Sequence, residues 1–204
     1  MKAAQLYKQW SEQVESDWNR LGLERIRGRG CKWYTRIGDS TLLLFVVVNP
    51  KYPWTVQGGG NFSVAVYVPT SRPEQPERYV ENVFDSIEFF SLWTDTLIER
   101  RQAANQRVYE KIRTLDRTTL FAQMAEAYDC TPAQAEALGL YETELEIMEM
   151  DIEESSDVLL NPPLYFYDAQ DVTVWSELLT ESLPVVLQRL RERDVQSFRL
   201  GEPG

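Results

Sequence analysis

The reactive groups of this chain are thirty-two carboxylates, two thiols and no imidazole at all. Lacking histidine, it has no Ser-His-Asp or Cys-His nucleophile, no histidine acid–base pair and no zinc site built on imidazole. Cys31 and Cys130 lie far apart in sequence, which is neither a disulfide framework nor a four-cysteine metal set, so two free buried thiols are expected. No Gly-x-x-x-x-Gly-Lys-Ser/Thr run occurs. Gly58-Gly59-Gly60 precedes a strand, and no helix start follows it, so it reads as a hairpin loop and not as a phosphate cradle. Carboxylates alone leave a glycosidase or a metal-dependent hydrolase open by residue type. Glu142, Glu146, Glu149 and Glu153 share one stripe of a helix, which would suit weak Ca²⁺ or Mg²⁺ binding. No Asp-x-Asp-x-Asp-Gly loop accompanies them, so a solvated helix face is the expected reading. No catalytic residue, metal ligand or cofactor is therefore assigned.

What remains is recognition. Tyr141, Leu145, Met148 and Ile152 recur at spacings of four, three and four and form the inner stripe of the acidic helix. Ile147 and Met150 fall on the other side, between Glu146 and Glu154. Apolar side chains set among carboxylates suit a protein-binding surface, the contact supplying affinity and the charge supplying orientation and rate. Glu142, Glu146, Ile147, Glu149, Met150, Glu153 and Glu154 are thus the first candidate partner-binding residues. The competing reading is a helix packed on both sides. Tyr52 and Trp54, on a proline-stiffened loop, are the second candidate patch. The basic stretch Arg25 to Arg36 is expected to face water or to pair with the acidic helix, not to bind nucleic acid.

Charge is unevenly distributed. From Thr118 to Gln188 there are fifteen Asp and Glu and no Lys or Arg, while the rest of the chain carries a net +4 of the overall −11. An extended field of one sign repels nucleic acid and steers basic proteins, or it simply keeps the chain soluble. The N-terminus reads as no signal peptide, and the longest apolar run, Leu42 to Val48, is too short to cross a bilayer. A cytoplasmic protein with no membrane contact is expected.

The elements that would position these groups follow from periodicity. Leu6, Trp10, Val14, Trp18 and Leu21 define an amphipathic helix over Ala4 to Leu21, closed by Gly22. Cys31 to Ile37, a turn at Gly38-Asp39-Ser40, and Thr41 to Val48 read as a hairpin. Asn49 to Gly60 is a loop. Asn61 to Val68 alternates as a strand, and Pro69 to Pro76 is a second loop. A short strand at residues 83 to 90 and a helix through Arg100 come next. Helices are expected at Arg107 to Leu115, Thr118 to Tyr128, Pro132 to Leu138 and Glu142 to Asp157, with Thr131 and Pro132 opening the third of these. Leu164 to Tyr167 is extended, and Val172 to Arg193 is a final helix kinked or divided at Pro184. The fold class is α+β: one domain over residues 1 to 204, an antiparallel sheet of three to four strands with helices on one face, and an acidic helical C-terminal half.

The succession Leu21-Gly22-Leu23, Lys32-Trp33-Tyr34-Thr35-Arg36 and Asn61-Phe62-Ser63-Val64, with Ser182-Leu183-Pro184-Val185-Val186-Leu187 near the end, resembles the bacterial domain of unknown function 4304. The resemblance spans about the first 70 and last 40 residues, and residues from about 100 to 160 depart from it as a helical insertion. It implies an α+β fold with an antiparallel sheet and carries over no functional residue. Two function classes are expected. The first is a non-enzymatic acidic module of immunity or inhibitor type that masks a basic partner such as a nuclease toxin or a DNA-binding or defence protein. The second is a carboxylate-dependent enzyme acting on a small substrate, and a structural subunit of a larger assembly is a weaker third.

Overall fold

The computed structural model describes residues 3–26, 31–38, 40–49, 60–69, 84–87, 89–153 and 163–192. Its first helix, α1 (Ala3–Arg20), buries Leu6, Trp10, Val14 and Trp18, the stripe its spacing demands. Gly22 closes it at φ +85°, a left-handed turn that returns the chain onto the sheet. Strands β1 (Glu24–Ile26), β2 (Cys31–Ile37), β3 (Ser40–Asn49), β4 (Gly60–Pro69) and β5 (Phe84–Ile87) form an antiparallel meander in sequence order. Cys31, Trp33, Thr35 and Ile37 alternate inward along β2, and Trp33 is opposite Leu44, which in turn is opposite Val66.

A 3-10 turn (Phe89–Leu92) leads to α2 (Asp95–Arg113), capped by the Thr94 hydroxyl accepting from the Leu97 N–H. The helix expected to stop near Arg100 and the separate one expected at Arg107 to Leu115 are this single α2. The polar interval between them is no break, because Arg101 and Asn105 are themselves buried. Helices α3 (Arg117–Ala127), α4 (Pro132–Ala137) and α5 (Leu140–Glu153) follow, with Thr131 and Gln134 completing a reciprocal capping box on α4. Gly139, at φ +61°, allows α5 to start almost at once.

The extended piece near residue 164 is a sixth strand, β6 (Leu164–Phe166), pairing antiparallel with β4 at Gly60, Asn61 and Phe62. The sheet therefore has six strands, not three or four; two short ones, β5 and β6, share the outer edge of β4. All three β6 residues are buried, and period-2 alternation explains why. Leu164 and Phe166 join the core under α1 and the final helix, while Tyr165 joins a second core formed by α2 to α5. Helices thus lie on both faces at this end, not on one.

The last helix, α6 (Ala169–Glu192), runs unbroken through Pro184. The expected division does not occur. Proline removes one backbone bond, but Leu178, Leu179, Leu183, Val186, Leu187 and Leu190 hold both halves in the same core. Each of those buried aliphatic side chains contributes about 1.5–3 kcal/mol, comparable to the ~3 kcal/mol that an interior proline costs. The fold is α+β. Among the described residues no helix is long and apolar enough to cross a membrane.

Candidate functional site

Helix α5 is the natural place to look. Its inward stripe is Tyr141, Glu144, Met148 and Ile152, all buried, with Leu145 and Asp151 half-buried at the margins. At 100° per residue the opposite side runs through Thr143, Glu146 and Met150, with Glu142 and Glu149 on one flank of it, and all five are exposed. Met150 is 55% exposed beside them, and Ile147 is half-buried at the rim. The outer face of α5 is therefore not packed on a second side. Glu153 ends the helix, and its side chain is not among those described; Glu154, Tyr52 and Trp54 lie outside the described residues.

Charge around this face is only slightly compensated. Arg117, at the start of α3, stands 3.9 Å from Glu142, and Glu146, Glu149 and Glu136 have no ion pair among the described residues. No basic residue occupies the last turn of α5 to offset its helix dipole. The arginines of β1 and β2 do not come here: Arg25 is 3.6 Å from Glu15 on α1, and Arg36 is exposed.

The cation-free stretch does not form one surface. Asp168 and Asp171 open α6, where each carboxylate accepts from the other's backbone N–H in a reciprocal cap. Lys111 bridges both at 3.0 and 2.9 Å. Burial pushes Lys111 down, but its hydrogen bonds to Asp171 and Asp168 outweigh that and hold it above its ordinary value. Glu177 and Glu181 of α6 join Asp17 of α1 along a groove of about 400 Å³, also lined by Gln13, Thr173 and Thr180. Arg100 pairs with Glu181 at 2.5 Å, and Arg20 pairs with Asp17.

Beneath α5 lies a cluster that sequence reasoning missed. Arg101 of α2 is 1% exposed, with its guanidinium carbon 5.4 Å from the centroid of the Phe90 ring. None of its three nitrogens has a hydrogen-bond partner among the described residues. Burial lowers its pKa, against an opposing pull from Asp151 of α5. The two do not approach within ion-pair distance, and Asp151 accepts instead from the Tyr165 hydroxyl. Burial raises Asp151, opposed by that hydrogen bond and by Arg101. Seven residues earlier on the same side, Glu144 accepts from the Tyr128 hydroxyl and is likewise raised by burial. Tyr165 is held in place by Asn105, whose amide oxygen accepts from the Tyr165 N–H at 2.9 Å and whose amide nitrogen donates to the Pro163 carbonyl at 3.1 Å. That amide stands in for a neighbouring strand. The available signal was Arg101 occupying an apolar stripe with Leu97, Ala104, Val108 and Ile112.

Cys31 is buried beside Ser11, Cys130 is half-buried, and both are free. No cluster of three or more potential metal ligands occurs among the described residues. No family model, no curated protein and no solved structure matches this chain.

Proposed function

We propose that this chain is a non-enzymatic binding module that docks a basic protein on the outer face of α5. This is the role of an inhibitor or immunity-type protein masking a nuclease toxin or another nucleic-acid-binding protein. One observation carries the reading: Glu142, Glu146 and Glu149 form an exposed row along about 10 Å of helix, next to a Met150 that nothing covers among the described residues. A row of carboxylates beside an apolar anchor fits a basic amphipathic helix. The apolar contact resists salt, and the charge sets orientation and on-rate. The groove between α1 and α6 favours a second reading, a carboxylate-dependent enzyme, since three carboxylates line it. It ranks second because Arg20 and Arg100 already pair with two of the three.

A synthetic amphipathic peptide with lysines flanking a leucine stripe is the probe, read by NMR shift mapping and calorimetry. Shifts are expected at residues 142 to 150, with affinity falling about tenfold or more between low and high salt. The E142K/E146K/E149K variant should abolish binding while its circular dichroism stays unchanged. Equal binding by that variant, or shifts gathered along the α1–α6 groove, would overturn the assignment.

A further inference from the structure

The seam between α5 and the layer beneath it has an unusual polar content. An ionised carboxylate offers about four acceptor sites, yet Glu144 and Asp151 each accept one hydrogen bond among the described residues, from Tyr128 and Tyr165 respectively. Glu144 is 8% exposed and Asp151 half-buried. They stand two helical turns apart on the inward side of α5, so both must leave the interior together if the helix lifts. Arg101, the cation facing Asp151 from α2, is too far away to form an ion pair with it and has no hydrogen-bond partner among the described residues. Tyr109, Arg113 and Arg117 lie around Tyr141 together with Glu142, Cys130 and Tyr167 pack against the same core, and Glu136 belongs to α4, which packs on α5. None of them reaches Glu144 or Asp151 by a hydrogen bond or ion pair.

We propose that Glu144 and Asp151 make the docking of α5 a proton-controlled latch, closed most firmly when both carboxyls carry a proton and loosened as they ionise. A neutral carboxyl donates and accepts and needs far less solvation than its anion, so it suits a seam that supplies one tyrosine hydroxyl per site. The upward shifts of both groups agree with this, burial being the leading cause in each case. The sign follows from linkage. A group whose pKa is higher in the closed seam than in water binds more protons when closed. Acid therefore favours closure, and opening grows as pH rises from the open-state pKa towards the closed-state one. Each carboxyl contributes at most about tenfold in the opening equilibrium per pH unit. The latch stands independently of the binding role proposed for the outer face, since no partner enters it.

Hydrogen exchange of the full chain, followed by mass spectrometry from pH 5 to 8 and expressed as protection factors, tests the proposal. Protection factors divide out the base catalysis of exchange itself. In the wild type, protection of residues 140–153 should fall by at least about threefold across the range, and by more than that of α1. The near-isosteric E144Q/D151N variant should hold α5 protection level over the same range, and either single variant should remove part of the slope. Should the double variant not fold, the single variants and the wild-type profile decide. Protection of α5 that does not change with pH, or a slope left undiminished in both E144Q and D151N, overturns the latch.

Discussion

Replacing Arg101 with methionine should stabilise the protein, although the residue is fully buried and charged. Arg101 is 1% exposed, and its Nε and both terminal nitrogens lack partners among the described residues. A buried, unsatisfied polar atom costs about 1–3 kcal/mol, and a buried ion costs several more in desolvation. Against this stand two favourable contacts: the stacking on Phe90, worth about 1–2 kcal/mol when desolvated, and attraction to Asp151. With no ion pair inside 4.0 Å, that attraction is below about 4 kcal/mol at an effective dielectric near 20. Methionine retains most of the volume and the contact with the Phe90 ring, and its flexibility lets it fill the irregular space left by the guanidinium. Desolvation wins the comparison. R101M should gain about 1–2 kcal/mol in urea unfolding followed by tryptophan fluorescence, with Tm raised by about 2–8 °C. R101A would confuse the test by opening a cavity, which is why methionine is the informative change. A loss of 1 kcal/mol or more in R101M would refute the reasoning, because it would mean the guanidinium is satisfied where the geometry says it is not.

Two further outcomes are expected. K111M removes the cation that bridges the α6 cap, leaving Asp171 only 1% exposed with its backbone donors and Arg107 at 3.5 Å, and should lose about 2–3 kcal/mol near neutral pH. Burial pushes Asp168 up, but Lys111 and the cap hydrogen bonds bring it below its ordinary 3.8, so the cap's contribution is present above that value and lost as pH falls through the lowered one; acid titration of unfolding in K111M should therefore show this component reduced to the part the cap hydrogen bonds supply. G22A should lose about 1–2 kcal/mol by the same unfolding assay, because φ +85° puts a Cβ in the left-handed region even though its closest contact, the Thr35 hydroxyl at 4.0 Å, leaves it room.

The parts of the fold that were legible were those in which a single period runs uninterrupted over many residues. The α1 stripe and the β2–β3 hairpin fall where alternation and Gly38 place them, and Thr131 opens α4 as its capping pattern requires. Asn61 to Val68 alternates as read, and Val64 and Val66, on one side of that alternation, are both buried. Legibility ended where tertiary context overrode local pattern. The extended reading of Leu164 to Tyr167 holds as β6, but so short a piece does not disclose that it pairs with β4. Pro184 reads as a kink or division because its sequence does not disclose a core that binds the helix on both sides of it. Arg101 and Asn105 made the middle of α2 look like a connection, because buried polar residues mimic a surface segment when their neighbours are unknown. The outward side of α5 was readable from spacing, and Glu142, Glu146, Glu149 and Met150 are exposed as that spacing implies. Its inner carboxylates were not readable, since the tyrosines that hold them come from the end of α3 and from β6, which only the fold brings there.

The two properties assigned to α5 have one physical root. Glu142 and Glu146 are an i,i+4 pair of like charges, and Glu146 and Glu149 an i,i+3 pair, each disfavouring the helix by about 0.2–0.5 kcal/mol. Carboxylates near its C-terminal end also oppose the helix dipole, with no basic residue in the last turn to offset them. On the inner side, burial disfavours ionised Glu144 and Asp151. What holds α5 down is therefore mainly Tyr141, Met148 and Ile152, set against electrostatic strain on both of its faces. A basic partner would relieve the outer strain, and protons relieve the inner. Because either one stabilises the same docked helix, they must act on the same equilibrium: a partner that binds only docked α5 shifts it towards closure by RT ln(1 + [L]/Kd), in the direction that acid does. A cationic partner and a lowered pH should then leave the same mark on exchange at residues 140–153. A docked helix whose inner side carried no titratable carboxyl would respond to the partner and not to the pH.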